Sequence, residues 1–166
     1  MNVTPEARAA LDAICARPVA DLLPHRPPMV LLDEACGMEG DCFKAKVRIR
    51  PGIPFFSPGE GGVPAWVGLE YMAQTVGACS GALGLAKGGI VKPGMLLGTR
   101  DYSAAIPLFP EGQELEVLVR IDIFQDGGVS SMDCRIRTQD GAIAAQAQVT
   151  VIEVADIRAL LQERSS

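Results

Sequence analysis

The feature that most constrains this sequence is a long, almost wholly apolar stretch that begins at Pro64 and ends before Gly88-Gly89. Because proline suits the first turn of a helix and glycine commonly follows the last, the stretch predicts a helix from Pro64 to Ala86, about 34 Å long at 1.5 Å per residue. Small and apolar residues surround its axis, and a helix without a polar face is buried on every side. The fold must therefore be built around this helix.

The rest of the chain is rich in strand signals. The alternation of apolar and charged residues from Phe43 to Arg50 is the strongest of them. The other predicted elements are an N-terminal helix that starts at Pro5, a short buried strand from Met29 to Asp33, strands at Gly94 to Thr99, Leu115 to Phe124, Ser130 to Thr138 and Ile143 to Val154, and a final helix from Asp156 to Glu163. They favour one α+β domain over residues 1–166, a curved antiparallel sheet wrapped round one long central helix.

The composition limits the class of protein and the cellular compartment that the sequence is compatible with. The chain has 166 residues, nearly half of them apolar, and a net charge of −5, which argues against non-specific nucleic-acid binding. Its five cysteines show no C-x-x-C pair, so they are interpreted as small buried hydrophobes in a reducing compartment. Neither a signal peptide nor an uninterrupted apolar run of about 20 residues is recognisable, so a cytoplasmic location is expected.

Glu70 is the one acid inside the apolar helix. An ionised carboxylate in apolar surroundings is unfavourable unless it is paired or hydrogen-bonded, which indicates a functional role. Gln74, one turn later on the same face, could hydrogen-bond it. The alternative is that Glu70 lies at an exposed edge of the helix.

His25 is the only histidine, and it lies in a segment with three prolines, Leu22-Leu23-Pro24-His25-Arg26-Pro27-Pro28. A histidine in such a turn is often structural. An acid-base enzyme with this sequence has no other imidazole, and a single histidine excludes a multi-histidine metal site.

Four cations lie on the polar side of the alternating strand: Lys44, Lys46, Arg48 and Arg50. They predict an exposed basic row. It is either a charged strand that discourages aggregation or a docking surface for an acidic partner.

Two motifs resemble those of a known family. The segment from Leu22 to Asp33 looks like the opening motif of bacterial 3-hydroxyacyl-[acyl-carrier-protein] dehydratases, and the segment from Pro64 to Gln74 looks like their central-helix motif. Together with the later Leu96-Leu97-Gly98-Thr99-Arg100, the second motif resembles the divergent branch found in aryl-polyene gene clusters.

The resemblance implies a hot-dog fold, a homodimer, and acyl carrier protein with a phosphopantetheine-linked acyl chain as partner. It implies removal of water from a 3-hydroxyacyl thioester to give the trans-2-enoyl thioester, without metal or organic cofactor. In the family a histidine takes the proton beside the thioester carbonyl, the helix acid assists departure of the hydroxyl, and a backbone N–H at the helix start polarises the carbonyl. Glu70 and His25 are the expected catalytic residues, and Ala65, Trp66 and Gln74 the expected substrate-binding ones.

The sequence departs from the family where its usual catalytic histidine should be, because the loop before the helix reads Phe55-Phe56-Ser57-Pro58-Gly59. The base is then His25, a histidine of a partner chain, or absent. Two alternatives to an active dehydratase follow: a non-catalytic subunit of a hetero-oligomeric dehydratase, and a hot-dog thioesterase in which the helix acid orients water or acts as nucleophile.

Overall fold

The structure, a computed structural model, describes residues 5–124 and 129–153. Its helical elements are α1 (Pro5–Cys15), a 3₁₀ turn at Val19–Leu22, a second 3₁₀ turn at Ala65–Val67 and α2 (Gly68–Ala86). The strands are β1 (Glu34–Glu39), β2 (Cys42–Arg48), β3 (Gly62–Pro64), β4 (Gly94–Ala104), β5 (Leu108–Pro110), β6 (Glu114–Phe124), β7 (Val129–Arg137) and β8 (Ile143–Glu153).

One antiparallel sheet carries most of the fold. Its strand order is β1-β2-β6-β7-β8-β4, and every neighbouring pair is antiparallel. The turn between β1 and β2 contains Gly40 at φ 62°, a left-handed conformation that glycine adopts without steric penalty. In β2, Phe43, Ala45 and Val47 are all buried, so the predicted register is confirmed.

Helix α2 packs against the sheet and is the centre of the fold. Tyr71, Met72 and Val76 are buried in the same apolar core as the inward residues of β2, β6 and β7. The sheet with one long central helix confirms the predicted architecture. The expectation of burial on every side is only partly met in a single chain, since Ser80 is exposed and Gly77 intermediate.

Other predictions have mixed outcomes. The N-terminal helix is confirmed, and the long helix begins with a 3₁₀ turn before its α-helical part. The predicted strand from Met29 to Asp33 is wrong: that segment is irregular, Met29 is exposed, and the neighbouring strand starts only at Glu34. The two-stranded sheet of β3 and β5 was not predicted, because three-residue strands carry no measurable periodicity. The predicted helix from Asp156 to Glu163 lies outside the described residues.

In the described part of the chain, none of the helices is long and apolar enough to cross a membrane. All five cysteines are free thiols, and three of them, Cys15, Cys79 and Cys134, are buried. Burial raises the pKa of the Cys15 thiol to about 11, and the nearby Asp12 carboxylate adds to this shift. These three thiols therefore behave as the buried core residues that the sequence predicts, whereas Cys36 and Cys42 are only partly buried.

Candidate active site

The segment that carries His25 is held by its neighbour Arg26. Prolines lack the N–H that would otherwise satisfy nearby carbonyl oxygens, and an arginine side chain supplies several donors at once. The Nη1 of Arg26 donates to the carbonyl oxygens of Leu23 at 3.0 Å and His25 at 2.7 Å, and more weakly to that of Ala20 at 3.4 Å. Arg26 was not singled out from the sequence, although a cation directly beside a proline-rich turn was an available signal.

The same segment approaches α2 closely just before His25. A Cβ on Gly81 would lie 2.1 Å from the carbonyl oxygen of Leu22, far inside contact distance. Only glycine therefore lets the 3₁₀ turn at Val19–Leu22 rest directly on the helix backbone. This contact sets how near the His25 segment lies to the helix face that carries Glu70.

Gln74 ties the irregular segment to the helix. Its side chain is fully buried, its Oε1 accepts from the Leu31 N–H at 2.9 Å, and its Nε2 donates to the Met29 carbonyl oxygen at 2.8 Å. Because the Leu31 N–H can only donate and the Met29 carbonyl can only accept, these two bonds fix which end of the amide is nitrogen. The remaining N–H of Gln74 must then point along the helix.

Glu70 receives that N–H. The Nε2 of Gln74 donates to Glu70 Oε1 at 2.9 Å, so the predicted contact one turn apart is present. Glu70 also lies in the first turn of α2, where the helix dipole favours a carboxylate. A buried amide therefore orients this carboxylate without neutralising its charge.

The structure brings His25 and Glu70 together. His25 Nε2 lies 3.9 Å from Glu70 Oε1, beyond a direct hydrogen bond but within reach of one shared substrate. The two side chains are 37% and 38% exposed, so both are accessible from solvent. The other ring nitrogen, Nδ1, is buried and has no hydrogen-bond partner among the described residues.

The start of the helix contains the other two predicted site residues. The Ala65 N–H is used by the carbonyl oxygen of Pro107 at 2.9 Å, and the Tyr102 hydroxyl donates to the Ala65 carbonyl oxygen. Trp66 is 64% exposed and meets the Phe55 ring edge-on, with ring centroids 5.8 Å apart. Tyr102, which the sequence reasoning missed, therefore clamps the turn that leads into α2.

The predicted basic row differs from its expected form, because each of its cations has an acidic partner. Lys44 pairs with Glu39 and Glu116, and Lys46 pairs with Glu114. Arg48 pairs with Glu34 and Glu114, and Arg50 with Asp33. The lysine side chains are also only 19% and 25% exposed. We call these residues the charged ladder.

Comparison with known structures identifies the class of fold. The chain matches a chain of the dehydratase heterocomplex ApeI:P from Xenorhabdus doucetiae with a TM-score of 0.81 and 27% identity, over 90% of this chain and 99% of that one. A thioesterase-like protein with coenzyme A from Streptococcus pneumoniae matches with a TM-score of 0.55 and 15% identity, over 73% of this chain and 84% of that one, and shares the fold alone. The protein has the hot-dog fold.

Comparison of sequences identifies the family. A family model described as ApeP dehydratase matches residues 17–162, and the chain belongs to this ApeP-like dehydratase family. It is 31% identical over 151 residues to the 3-hydroxyacyl-[acyl-carrier-protein] dehydratase FabZ of Mannheimia succiniciproducens, covering 89% of this chain and 97% of that protein. It is 30% identical over 148 residues to FabZ of Agrobacterium fabrum, covering 87% and 92%.

Proposed function

We propose that this protein removes water from 3-hydroxyacyl thioesters carried by acyl carrier protein and forms the trans-2-enoyl thioester, in fatty-acid or aryl-polyene-type biosynthesis. The observation that carries the proposal is the pair formed by Glu70 and His25, accessible to solvent and 3.9 Å apart. The FabZ relatives are named for the same reaction on acyl carrier protein. The protein would act as a single dehydratase domain, and its free cysteines fit a reducing cytoplasm.

The reaction takes place at two adjacent carbons, since a proton leaves C2 of the acyl chain while a hydroxyl leaves the adjacent C3, and polar groups of the site must reach both positions. Glu70 and His25 are the proposed catalytic residues because both can reach one small group between them. The loop that carries the histidine in the better-known branch reads Phe55-Phe56-Ser57-Pro58-Gly59 here. His25 therefore takes over as the imidazole of the site.

The thioester arm is proposed to lie at the start of the helix. The first turn of a helix leaves N–H groups without an intrahelical acceptor, and such groups can polarise a carbonyl. Because the backbone N–H of Ala65 already donates to the Pro107 carbonyl oxygen, the backbone N–H of Trp66 is the better candidate donor to the thioester carbonyl. The exposed ring of Trp66 also offers a surface against which the arm can lie. Gln74 contributes indirectly, through its bonds to Glu70 and to the His25 segment.

The decisive experiment incubates the purified full chain with a 3-hydroxyacyl thioester of acyl carrier protein and follows the enoyl product by mass spectrometry. Enoyl product from the protein alone supports the proposal. Product only when a second hot-dog dehydratase is added supports a partner-dependent subunit, and release of free carrier-protein thiol identifies a thioesterase. Absence of enoyl product both from the protein alone and with the second dehydratase refutes the proposed function.

We propose that the chain assembles through the free edge of β4, as a homodimer or with a second dehydratase chain. β4 ends the main sheet and is exposed along nearly its whole length, including Met95, Leu96 and Leu97. An unpaired strand edge with apolar side chains favours association. The ApeI:P structure, which it resembles, is described as a heterocomplex.

Leu97→Lys tests this assembly, because it places a charge in the centre of the proposed interface while Leu97 is 54% exposed in the single chain. We expect the mass measured by light scattering to fall from that of a dimer to that of a monomer. Leu97→Met, which keeps size and polarity, is the matched control and should stay dimeric. A wild-type protein that is monomeric both alone and with a second dehydratase chain would refute assembly.

A further inference from the structure

The two ring nitrogens of His25 have opposite surroundings. Nε2 faces the accessible side of the site, 3.9 Å from Glu70 Oε1. Nδ1 is buried, and no acceptor or donor contacts it in the part of the chain that the structure describes. A proton on Nδ1 therefore has no hydrogen-bond acceptor among the described residues.

This asymmetry restricts what the ring can do. A neutral imidazole carries one proton, and Nε2 can act as a base only if that proton is on Nδ1. After Nε2 has accepted a second proton, Nδ1 still holds the first. An Nδ1–H would be a buried donor without an acceptor, whereas an Nε2–H faces the Glu70 carboxylate, which accepts hydrogen bonds, so the neutral ring favours its proton on Nε2.

We propose that His25 acts as a hydrogen-bond donor through Nε2–H and that Glu70, not His25, takes the proton from the substrate. The inference rests on the proposed dehydration and deepens it, because it reverses the roles that the resemblance to the family implies. His25 Nε2–H would hold the substrate hydroxyl or the Glu70 carboxylate in place. It would gain and lose no proton during turnover.

The step balances with Glu70 alone. Its carboxylate takes the proton from C2 as the C2–H bond breaks, and those electrons form the C2=C3 double bond. The C3–O bond breaks with its electron pair on oxygen, and the protonated Glu70 returns the proton to that oxygen. Water and the enoyl thioester leave, and Glu70 is again a carboxylate.

The contacts of Glu70 suit this task. Gln74 donates to Oε1 at 2.9 Å, and His25 approaches the same oxygen, so Oε2 is the oxygen that remains for the substrate. In the proposed tautomer, Gln74 and His25 are both neutral donors to Glu70 rather than cations. Neutral donors orient a carboxylate while leaving it able to accept a proton.

The first test reads the tautomer directly and needs no activity. His25 is the only histidine, so ¹⁵N-histidine-labelled full chain gives one imidazole spin system in a long-range ¹H–¹⁵N spectrum. At about pH 8, where an ordinary histidine is neutral, we expect one fixed Nε2–H tautomer with an unprotonated Nδ1. A protonated Nδ1, or averaged shifts from interconverting tautomers, overturns the proposal.

The second test separates donor from base. Glutamine places its amide N–H near the position of Nε2, whereas asparagine reaches only the position of Nδ1. We expect His25→Gln to lower kcat by no more than about tenfold, and His25→Asn and His25→Ala to lower it further. If His25→Gln loses as much as His25→Ala, about 10²–10⁴-fold, with an unchanged melting temperature, His25 is the base and the proposal fails.

The two tests keep this inference separate from the proposed function. A wild-type protein that forms no enoyl product, either alone or with a second dehydratase, refutes the dehydration, while the tautomer still supports or refutes the donor role. A His25→Gln variant that does not fold leaves the decision to the spectrum of the wild type.

Discussion

Glu70 and Glu116 are both carboxylates of the same chain, yet their surroundings are opposite. Glu116 belongs to the charged ladder, where Lys44 donates to one oxygen at 3.1 Å and Arg137 to the other at 2.8 Å. Glu70 has one neutral donor, Gln74, and an imidazole nitrogen at 3.9 Å. Ions that are fully partnered within the protein stabilise a fold, whereas a carboxylate with spare bonding capacity beside an open surface is available for chemistry.

The pKa of Glu116 illustrates the contrast. Partial burial pushes this pKa upward, but the hydrogen bonds from Arg137 and Lys44 together outweigh burial and hold it below its usual range. A group with a lowered pKa contributes stability above its unfolded pKa and loses it as the pH falls through the folded value. The ladder is therefore a stabilising device at neutral pH that weakens in acid.

The largest effect is expected from a substitution of Glu70, the carboxylate of the proposed active site. Glu70→Gln keeps the shape of the side chain but removes its ability to carry a proton, so turnover should fall by about 10²–10⁴-fold. The melting temperature should change little, because Glu70 is partly exposed and no lysine or arginine of the described residues pairs with it. Formation of enoyl thioester under single-turnover conditions measures the loss. Glu60→Gln, an exposed loop residue, is the matched control, and an equal loss there would remove the special role of Glu70.

The next effect comes from Gln74, which links the two halves of the site. Gln74→Leu removes the acceptor for the buried Leu31 N–H and the donor for the partly buried Met29 carbonyl oxygen, so both groups lose their partner. We expect unfolding in urea to show a loss of about 2–4 kcal/mol, together with a lower kcat. Gln74→Glu keeps the acceptor for the Leu31 N–H but places a buried carboxylate oxygen against the Met29 carbonyl oxygen and the Glu70 carboxylate, so at neutral pH it should cost at least as much stability as Gln74→Leu. Unchanged stability in both variants would contradict this role.

A smaller effect is expected where the His25 segment touches the helix. Gly81→Ala would place a methyl group 2.1 Å from the Leu22 carbonyl oxygen, so the segment must move away from α2. We expect a loss of about 1–3 kcal/mol and a reduced kcat, measured by urea unfolding and the same assay. Gly77→Ala is the control in the same helix, since its new Cβ meets only the flexible Leu23 side chain at 3.2 Å. Equal effects of the two changes would contradict the proposed contact.

The smallest effect is expected from a substitution of Glu116 in the charged ladder. Glu116→Gln should lower stability by at most about 1 kcal/mol at neutral pH and low salt, because its side chain is 21% exposed and solvent screens the pairs. The difference from wild type should shrink at high salt, and it should also shrink in acid as the pH falls through the lowered pKa of the folded-state Glu116 carboxyl. Turnover should stay at the wild-type value. A large loss of turnover would show that the ladder and the site are not separate.

Secondary-structure elements with a clear local sequence pattern could be predicted from the sequence alone. The alternation from Phe43 to Arg50 established β2 and its buried face, and the apolar run bounded by Pro64 and Gly88 established α2. Glu70 could be chosen as the candidate acid from its position in that run alone. Periodicity of this kind is a property of neighbouring residues, so it can be read along the chain.

The contacts between segments that are distant in the sequence became visible only in the tertiary structure. Nothing local to Met29 or Leu31 indicates that their backbone groups bond to Gln74, which lies 45 and 43 positions further along, and this is why a strand was wrongly predicted there. The pairing of Lys44 with Glu116 spans 72 positions and converts an expected basic row into a neutralised ladder. Contacts between distant segments depend on packing of the whole chain, and no local pattern encodes them.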